Sequence, residues 1–86
     1  MGKRYYVYVL RSLQDNKLYV GKTTDLERRF LEHQKGQVQS TKSRRPLKLI
    51  FYESFINKSD ARRDEIFFKS GYGREILYGK LKNSLS

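Results

Sequence analysis

Leu26, Arg29, Phe30 and His33 recur at i, i+3, i+4 and i+7, so a helix through them carries all four on one stripe. Leu26 and Phe30 need that face buried, which brings a guanidinium and the chain's only imidazole in with them. A partly buried arginine needs an anionic partner, either a carboxylate of the fold or a phosphate of a ligand. Arg28, Glu32 and Glu27 fall off the stripe and read as solvated charges. On a later helix, Ala61, Glu65 and Phe68 fall at i, i+4 and i+7, which turns a carboxylate inward as well. Asp64 sits at the margin of that face, while Arg62 and Lys69 point elsewhere. Arg29 and Glu65 can therefore form an ion pair of the fold, or face each other across a cleft that receives a phosphate and a metal ion. Spacing leaves both open.

The tyrosines are the third unusual feature, seven in 86 residues. Tyr8 and Tyr19 lie on two segments that read as paired strands. With Asp15-Asn16 as a two-residue turn, parity puts both on the same face. That register separates them by about four strand positions, roughly 13 Å at the usual rise. Direct convergence requires a bulge or a longer turn.

Certain elements must hold these residues. Lys3–Arg11 alternates Tyr5, Val7 and Val9 with Tyr6, Tyr8 and Leu10, apolar or aromatic on both faces, which predicts a central strand covered on both sides. Gln14-Asp15-Asn16-Lys17 is turn chemistry, and Leu18–Lys22 returns as the second strand of a hairpin. Thr24 and Glu27 fit a capping box that opens the first helix, and Gly36 stops it after Lys35. Gly36–Lys48 shows no regular pattern and reads as one long loop. Leu49–Phe55 is a third strand. Asn57 or Ser59 caps a second helix that runs to about Lys69. Ser70-Gly71-Tyr72-Gly73 breaks it, and Arg74–Leu81 makes a short last helix. The order β-β-α-β-α-α predicts an α+β fold, a small three-stranded sheet flanked by helices, in a single domain spanning residues 1–86.

Composition narrows the chemistry. No cysteine is present, which removes disulfides, thiolate zinc sites and cysteine nucleophiles, and one histidine cannot build a multi-histidine metal cage. The longest apolar run, Tyr5–Leu10, is too short for a membrane span or a signal-peptide core. A cytoplasmic protein with no membrane partner is expected. Nineteen Lys plus Arg against nine Asp plus Glu give a net charge of +10. Such a charge attracts polyanions, of which nucleic acid is the commonest in a cell.

The combination resembles a known family. Tyr6-Val7-Tyr8 … Tyr19-Val20-Gly21 resembles the paired tripeptides that name the GIY-YIG nuclease superfamily, and Asp25-Leu26-Glu27-Arg28-Arg29-Phe30 … His33 is similar to that family's first helix. Ser40-Thr41-Lys42 … Arg45-Pro46 … Ala61-Arg62-Arg63 … Glu65 … Lys69-Ser70-Gly71 … Gly73-Arg74-Glu75 resembles its small, single-domain bacterial branch. By this resemblance Tyr8 and Tyr19 are the catalytic tyrosines, Arg29 the catalytic arginine and Glu65 the metal-binding glutamate. His33 matches a histidine found in part of the family. Tyr6 replaces the glycine of the first tripeptide. Some family nucleases use a late asparagine, but only Asn83 lies beyond Glu65 here, and it is given no role.

The residues suit the implied reaction. One Mg²⁺ or Mn²⁺ held by one carboxylate and by substrate oxygens is a usual mode for an ion that keeps much of its water, and Glu65 supplies the carboxylate. Arg29 can donate two parallel hydrogen bonds to a phosphate. A tyrosine titrates near about 10, so Tyr8 or Tyr19 as general base needs its phenolate favoured by cations such as Lys22, Arg29 and the metal. His33 competes for the same role, with an ordinary value near about 6.5. The expected function is a one-metal endonuclease that hydrolyses nucleic-acid phosphodiesters, with DNA favoured and single-stranded or branched substrates in view. The alternative is a non-catalytic nucleic-acid-binding module on the same fold. Lys22, together with Lys42, Arg44, Arg45 and Lys48 of the long loop, is expected to contact phosphates.

Overall fold

A computed structural model of the chain describes residues 2–85. Strands β1 (Tyr5–Ser12), β2 (Leu18–Thr23) and β3 (Leu47–Phe55) form one antiparallel sheet in the order β2-β1-β3. Around it lie α1 (Leu26–Gln34), α2 (Lys58–Lys69), α3 (Gly71–Lys80) and the short α4 (Lys82–Leu85). The expected α+β class and the central, doubly covered β1 are observed.

The alternation along β1 sorts the core into two. Val7 and Val9 join Leu18, Val20, Ala61, Phe68, Leu77 and Leu81 on the side of α2 and α3. Tyr8 and Leu10 join Leu47 on the other side, with Tyr19, Leu26, Phe30 and Leu49 packed against them. The β1–β3 register shifts between Val9, opposite Phe51, and Leu10, opposite Leu49. The extra residue is Ile50, so Ile50 and Phe51 both pack against the aliphatic cluster although they are adjacent in sequence.

Several boundaries differ from the expectation. Asp25, not Thr24, caps α1: its Oδ1 accepts the Arg28 N–H at 3.1 Å, while Thr23 Oγ1 accepts the Asp25 N–H at 3.1 Å. The stop at Gly36 holds, since this residue takes φ +77° and the Gln37 N–H reaches the Glu32 carbonyl across it. The long loop contains a 3-10 turn, Lys42–Arg44, and β3 begins two residues early. Asn57 caps α2 through Ser59 N–H. The pair Gly71 and Gly73, read as a break, lies inside α3. Ser70 closes α2 and caps α3 by accepting from Gly73 N–H, and a Cβ on Gly73 would collide with the Phe67 carbonyl. The expected break of α2 after Lys69 is observed, and Gly73, not Gly71, permits the close helix–helix corner there.

Beyond the aliphatic cluster, Glu53 on β3 and Asp64 on α2 face each other with Lys80 nearby. Burial, together with the hydrogen bond and charge of Glu53, pushes the Asp64 carboxyl up to about 7. Asp64 therefore keeps its proton well above the usual carboxylate range.

Candidate active site

The hairpin register decides where the tyrosines meet. Ser12 N–H donates to the Lys17 carbonyl at 2.9 Å, so the loop holds Leu13 to Asn16 and is longer than a two-residue turn. Ser12 Oγ accepts from Gln14 and Asp15 N–H, Asp15 Oδ1 accepts from Lys17 N–H, and Asn16 adopts φ +61°. The turn chemistry is observed, and of the two alternatives that convergence of the tyrosines requires, the longer turn is the one formed. The resulting register pairs Tyr8 with Gly21 and Leu10 with Tyr19. The tyrosines become diagonal neighbours two positions apart, with ring centroids 6.4 Å apart. Gly21 is needed there, because a Cβ on it would collide with the Tyr8 ring that lies across it.

His33 completes the cluster from α1. Its ring stands edge-on to Tyr8 at 5.6 Å and to Tyr19 at 5.2 Å. Nε2 shares a hydrogen bond with the Tyr8 hydroxyl at 2.8 Å, and Nδ1 shares one with Thr41 Oγ1 at 2.7 Å. Tyr8 is 1% exposed, and His33 and Thr41 are 0% exposed, so three polar side chains form a buried chain with every link made. Burial, assisted by the positive field of Arg29, pushes His33 down to about 4, which leaves the imidazole neutral at ordinary pH. Burial also pushes the Tyr8 phenol up to about 12, against the pull of Arg29; the charges of Tyr19 and Glu65 add to the rise. At rest the proton belongs to Tyr8.

Arg29 acts on the Tyr8 phenol and Glu65 reaches it through its charge, but each finds its ion partner on its own helix. Arg29 Nη1 donates to Glu32 Oε1 at 2.9 Å, and Lys69 Nζ donates to Glu65 Oε2 at 3.0 Å. Two sequence readings are corrected here. Glu32 is not a merely solvated charge, and Lys69 does not point away. Both sit at helical spacings, i+3 and i+4, that favour such pairs. The Arg29 guanidinium still interacts with the phenol of Tyr8. Five of the expected residues (Tyr8, Tyr19, Arg29, His33 and Glu65) thus belong to one neighbourhood. Thr41 joins them unannounced, since a lone threonine in a polar loop carries no periodic signal.

The expected phosphate-contacting cations are placed differently from one another. Lys42 and Lys48 are exposed. Arg44 is instead half-buried, its Nε 3.5 Å from Asp15 Oδ2 of the hairpin loop, while its carbonyl accepts from Ser12 Oγ. Arg45 donates from Nε to the Lys42 carbonyl at 3.0 Å and from Nη1 to the Gln34 carbonyl at 3.4 Å, across the end of α1. Both arginines fasten the loop to the fold, a use that a bare charge count does not distinguish from phosphate binding. Lys22 lies opposite Val7, on the sheet face away from Tyr8. The cation acting on the phenol is Arg29.

No group of three His, Cys, Asp or Glu side chains capable of holding a metal ion occurs among the described residues. The donor set at the site is the single carboxylate of Glu65. That set suits a hard ion that retains several waters and completes its shell with substrate oxygens, and it does not suit a caged structural metal.

Residues 4–79 match the family described as the GIY-YIG catalytic domain, and the chain belongs to that family. It is similar to a UPF0213 protein of Pediococcus pentosaceus, 50% identical over 83 residues that cover 95% of this chain and 86% of the relative. UPF0213 protein YsiG of Lactococcus lactis is 40% identical over 83 residues, covering 95% and 79%. Among solved structures, the solution NMR structure of UPF0213 protein BH0048 from Bacillus halodurans is 34% identical, with TM-score 0.56 over 88% of this chain and 83% of that one.

Proposed function

We propose that the chain is a metal-dependent endonuclease that hydrolyses phosphodiester bonds of nucleic acid, DNA in the first instance, with one Mg²⁺ or Mn²⁺ per site. The observation that carries the reading is the meeting of Tyr8, Tyr19 and His33 within hydrogen-bond or ring contact, beside Arg29 and within the field of Glu65. A binding module needs a basic surface; it has no use for a buried phenol–imidazole chain or an inward carboxylate.

In this reading the Arg29 guanidinium holds the phosphate, exchanging part of its pairing with Glu32 for the substrate's oxygens. Glu65 is the ligand for the divalent ion, and Lys69 occupies its Oε2 when no ion is bound. The ion would neutralise charge on the phosphoryl oxygens and assist the departing one. Tyr8 is the base, and Tyr19 walls the site beside it. Burial is the main hold on the Tyr8 proton and the charge of Glu65 the least, so a cation paired with Glu65 would act on the phenol in the same direction as Arg29, toward ionisation. His33, with both ring nitrogens engaged, orients Tyr8 and does not take the proton of the attacking water. Exposed Lys42 and Lys48 supply contacts to the strand; such contacts position without reading sequence, which favours loose sequence preference.

The test is incubation of the purified protein with end-labelled single-stranded, duplex and branched DNA, and with RNA, each with Mg²⁺, with Mn²⁺ and with chelator. Metal-dependent internal cuts in at least one DNA are expected. Binding of all substrates with no metal-dependent product would overturn the enzyme reading in favour of a binding module.

A further inference from the structure

The buried chain that begins at Tyr8 does not stop at His33. Thr41 stands at the position that caps the 3-10 turn Lys42–Arg44, where a threonine hydroxyl ordinarily accepts from a backbone N–H, yet its side chain makes no capping bond. The hydroxyl is turned inward, fully buried, and spent on His33 Nδ1 at 2.7 Å.

Two hydroxyls flank one imidazole, so donor strength sets the direction of each bond. A neutral imidazole carries one N–H, and a guanidinium only donates. Arg29 acts on the Tyr8 oxygen as a donor, so it uses acceptor capacity of the phenol and cannot receive the phenol's proton. The acceptor for that proton is Nε2, 2.8 Å away. Nε2 must then be bare, and Nδ1 carries the ring proton toward Thr41 Oγ1. The reverse tautomer sets Nε2–H against an oxygen that Arg29 already acts on and strands the phenol proton, whereas the Nδ1-protonated form strands only the hydroxyl proton of Thr41, an aliphatic alcohol and the weaker donor of the two.

We infer that Thr41 is a positioning residue of the site: by accepting the Nδ1–H of His33 it holds the imidazole in the Nδ1-protonated tautomer, and so aims the Tyr8 hydroxyl. The same contact ties the loop that carries exposed Lys42 to α1 through His33. The role of Tyr8 in cleavage rests on the nuclease reading above; the tautomer does not.

His33 is the only histidine of the chain, so histidine-selective ¹⁵N labelling gives one unambiguous imidazole in NMR. The wild-type protein should show the Nδ1-protonated pattern. Thr41→Val keeps shape and removes the acceptor; it should mix or invert the tautomer, whereas Thr41→Ser keeps it. In single-turnover cleavage Thr41→Val should lose about tenfold, less than the roughly 10²–10⁴ that acid–base catalysis contributes as a whole, with DNA binding unchanged and with activity restored in Thr41→Ser. A wild-type spectrum with Nε2 protonated overturns the inference even if the valine variant fails to fold, and so does an unchanged tautomer in that variant. If the chain cuts nothing, the spectra still decide the role of Thr41, and the nuclease reading fails separately.

Discussion

The two faces of β1 carry different loads. On one side Val7 and Val9 meet an aliphatic cluster supplied by β2, α2 and α3, where shape and apolar area set the energy. On the other, Tyr8 and Leu10 meet a smaller cluster under α1, and a chain of polar groups runs through it. A chain of 86 residues has a thin core, so one largely apolar face is what allows the other to hold a phenol, an imidazole and a hydroxyl out of water. The comparison teaches that stability and chemistry are separable here, side by side on one strand. Substitutions on the two faces should therefore fail differently.

The largest separation is expected at Tyr8. Tyr8→Phe keeps the ring and removes the hydroxyl, so the chemical step should fall by about 10²–10⁴-fold, and Tyr19→Phe should fall less. Single-turnover kinetics at saturating DNA reads this; a smaller loss at Tyr8 than at Tyr19 would transfer the base to Tyr19.

The aliphatic face should respond in stability. Leu77 is fully buried, and Leu77→Ala should cost about 2–5 kcal/mol in denaturant unfolding, while the surviving folded fraction cuts at the wild-type rate. A slowed chemical step in that fraction would join the two faces that the account keeps apart.

Acidity gives a finer contrast. Folded Asp64 keeps its proton to about 7, whereas an unfolded aspartate loses it near about 4, so this group stabilises at low pH and its contribution is lost as pH rises between those values. His33 has the opposite sign. Its folded value of about 4 lies below the unfolded value of about 6.5, so its contribution is present above that range and is lost as pH falls through it. Asp64→Asn should therefore be more stable than wild type at pH 8, with the advantage shrinking toward pH 4. Thermal melts across that range check the sign, and a wild type that outlasts the variant at pH 8 contradicts it.

The smallest effect concerns recognition. Lys42→Ala with Lys48→Ala should flatten the slope of log affinity against log salt by up to about two units, with little change in chemistry at saturation. An unchanged slope would move the strand's path away from the loop.

Much of the site is legible in the sequence, because helices advertise their faces. The period of Leu26, Arg29, Phe30 and His33 places an arginine and a histidine together, and the period of Ala61, Glu65 and Phe68 turns a glutamate off the solvent face of α2. Hairpin register is harder. Asp15-Asn16 suits a two-residue turn as well as the longer loop that forms, and only Ser12, folding its hydroxyl over the loop, selects the latter. Thr41, Arg44 and Arg45 lie in a segment without period, so their partners (His33, Asp15 and the Gln34 carbonyl) exist only once the chain has folded.

The central claim is that the inward carboxylate on α2 serves chemistry and not the fold. Glu65→Gln keeps its size and its place while removing the charge that would hold the ion. Cleavage of labelled DNA should be lost at any Mg²⁺ concentration, with DNA binding retained and the thermal midpoint within about 4 °C of wild type, the shift that a change of about 0.5 kcal/mol produces in a domain this small. Mg²⁺-dependent cutting by this variant at the wild-type rate would contradict the account.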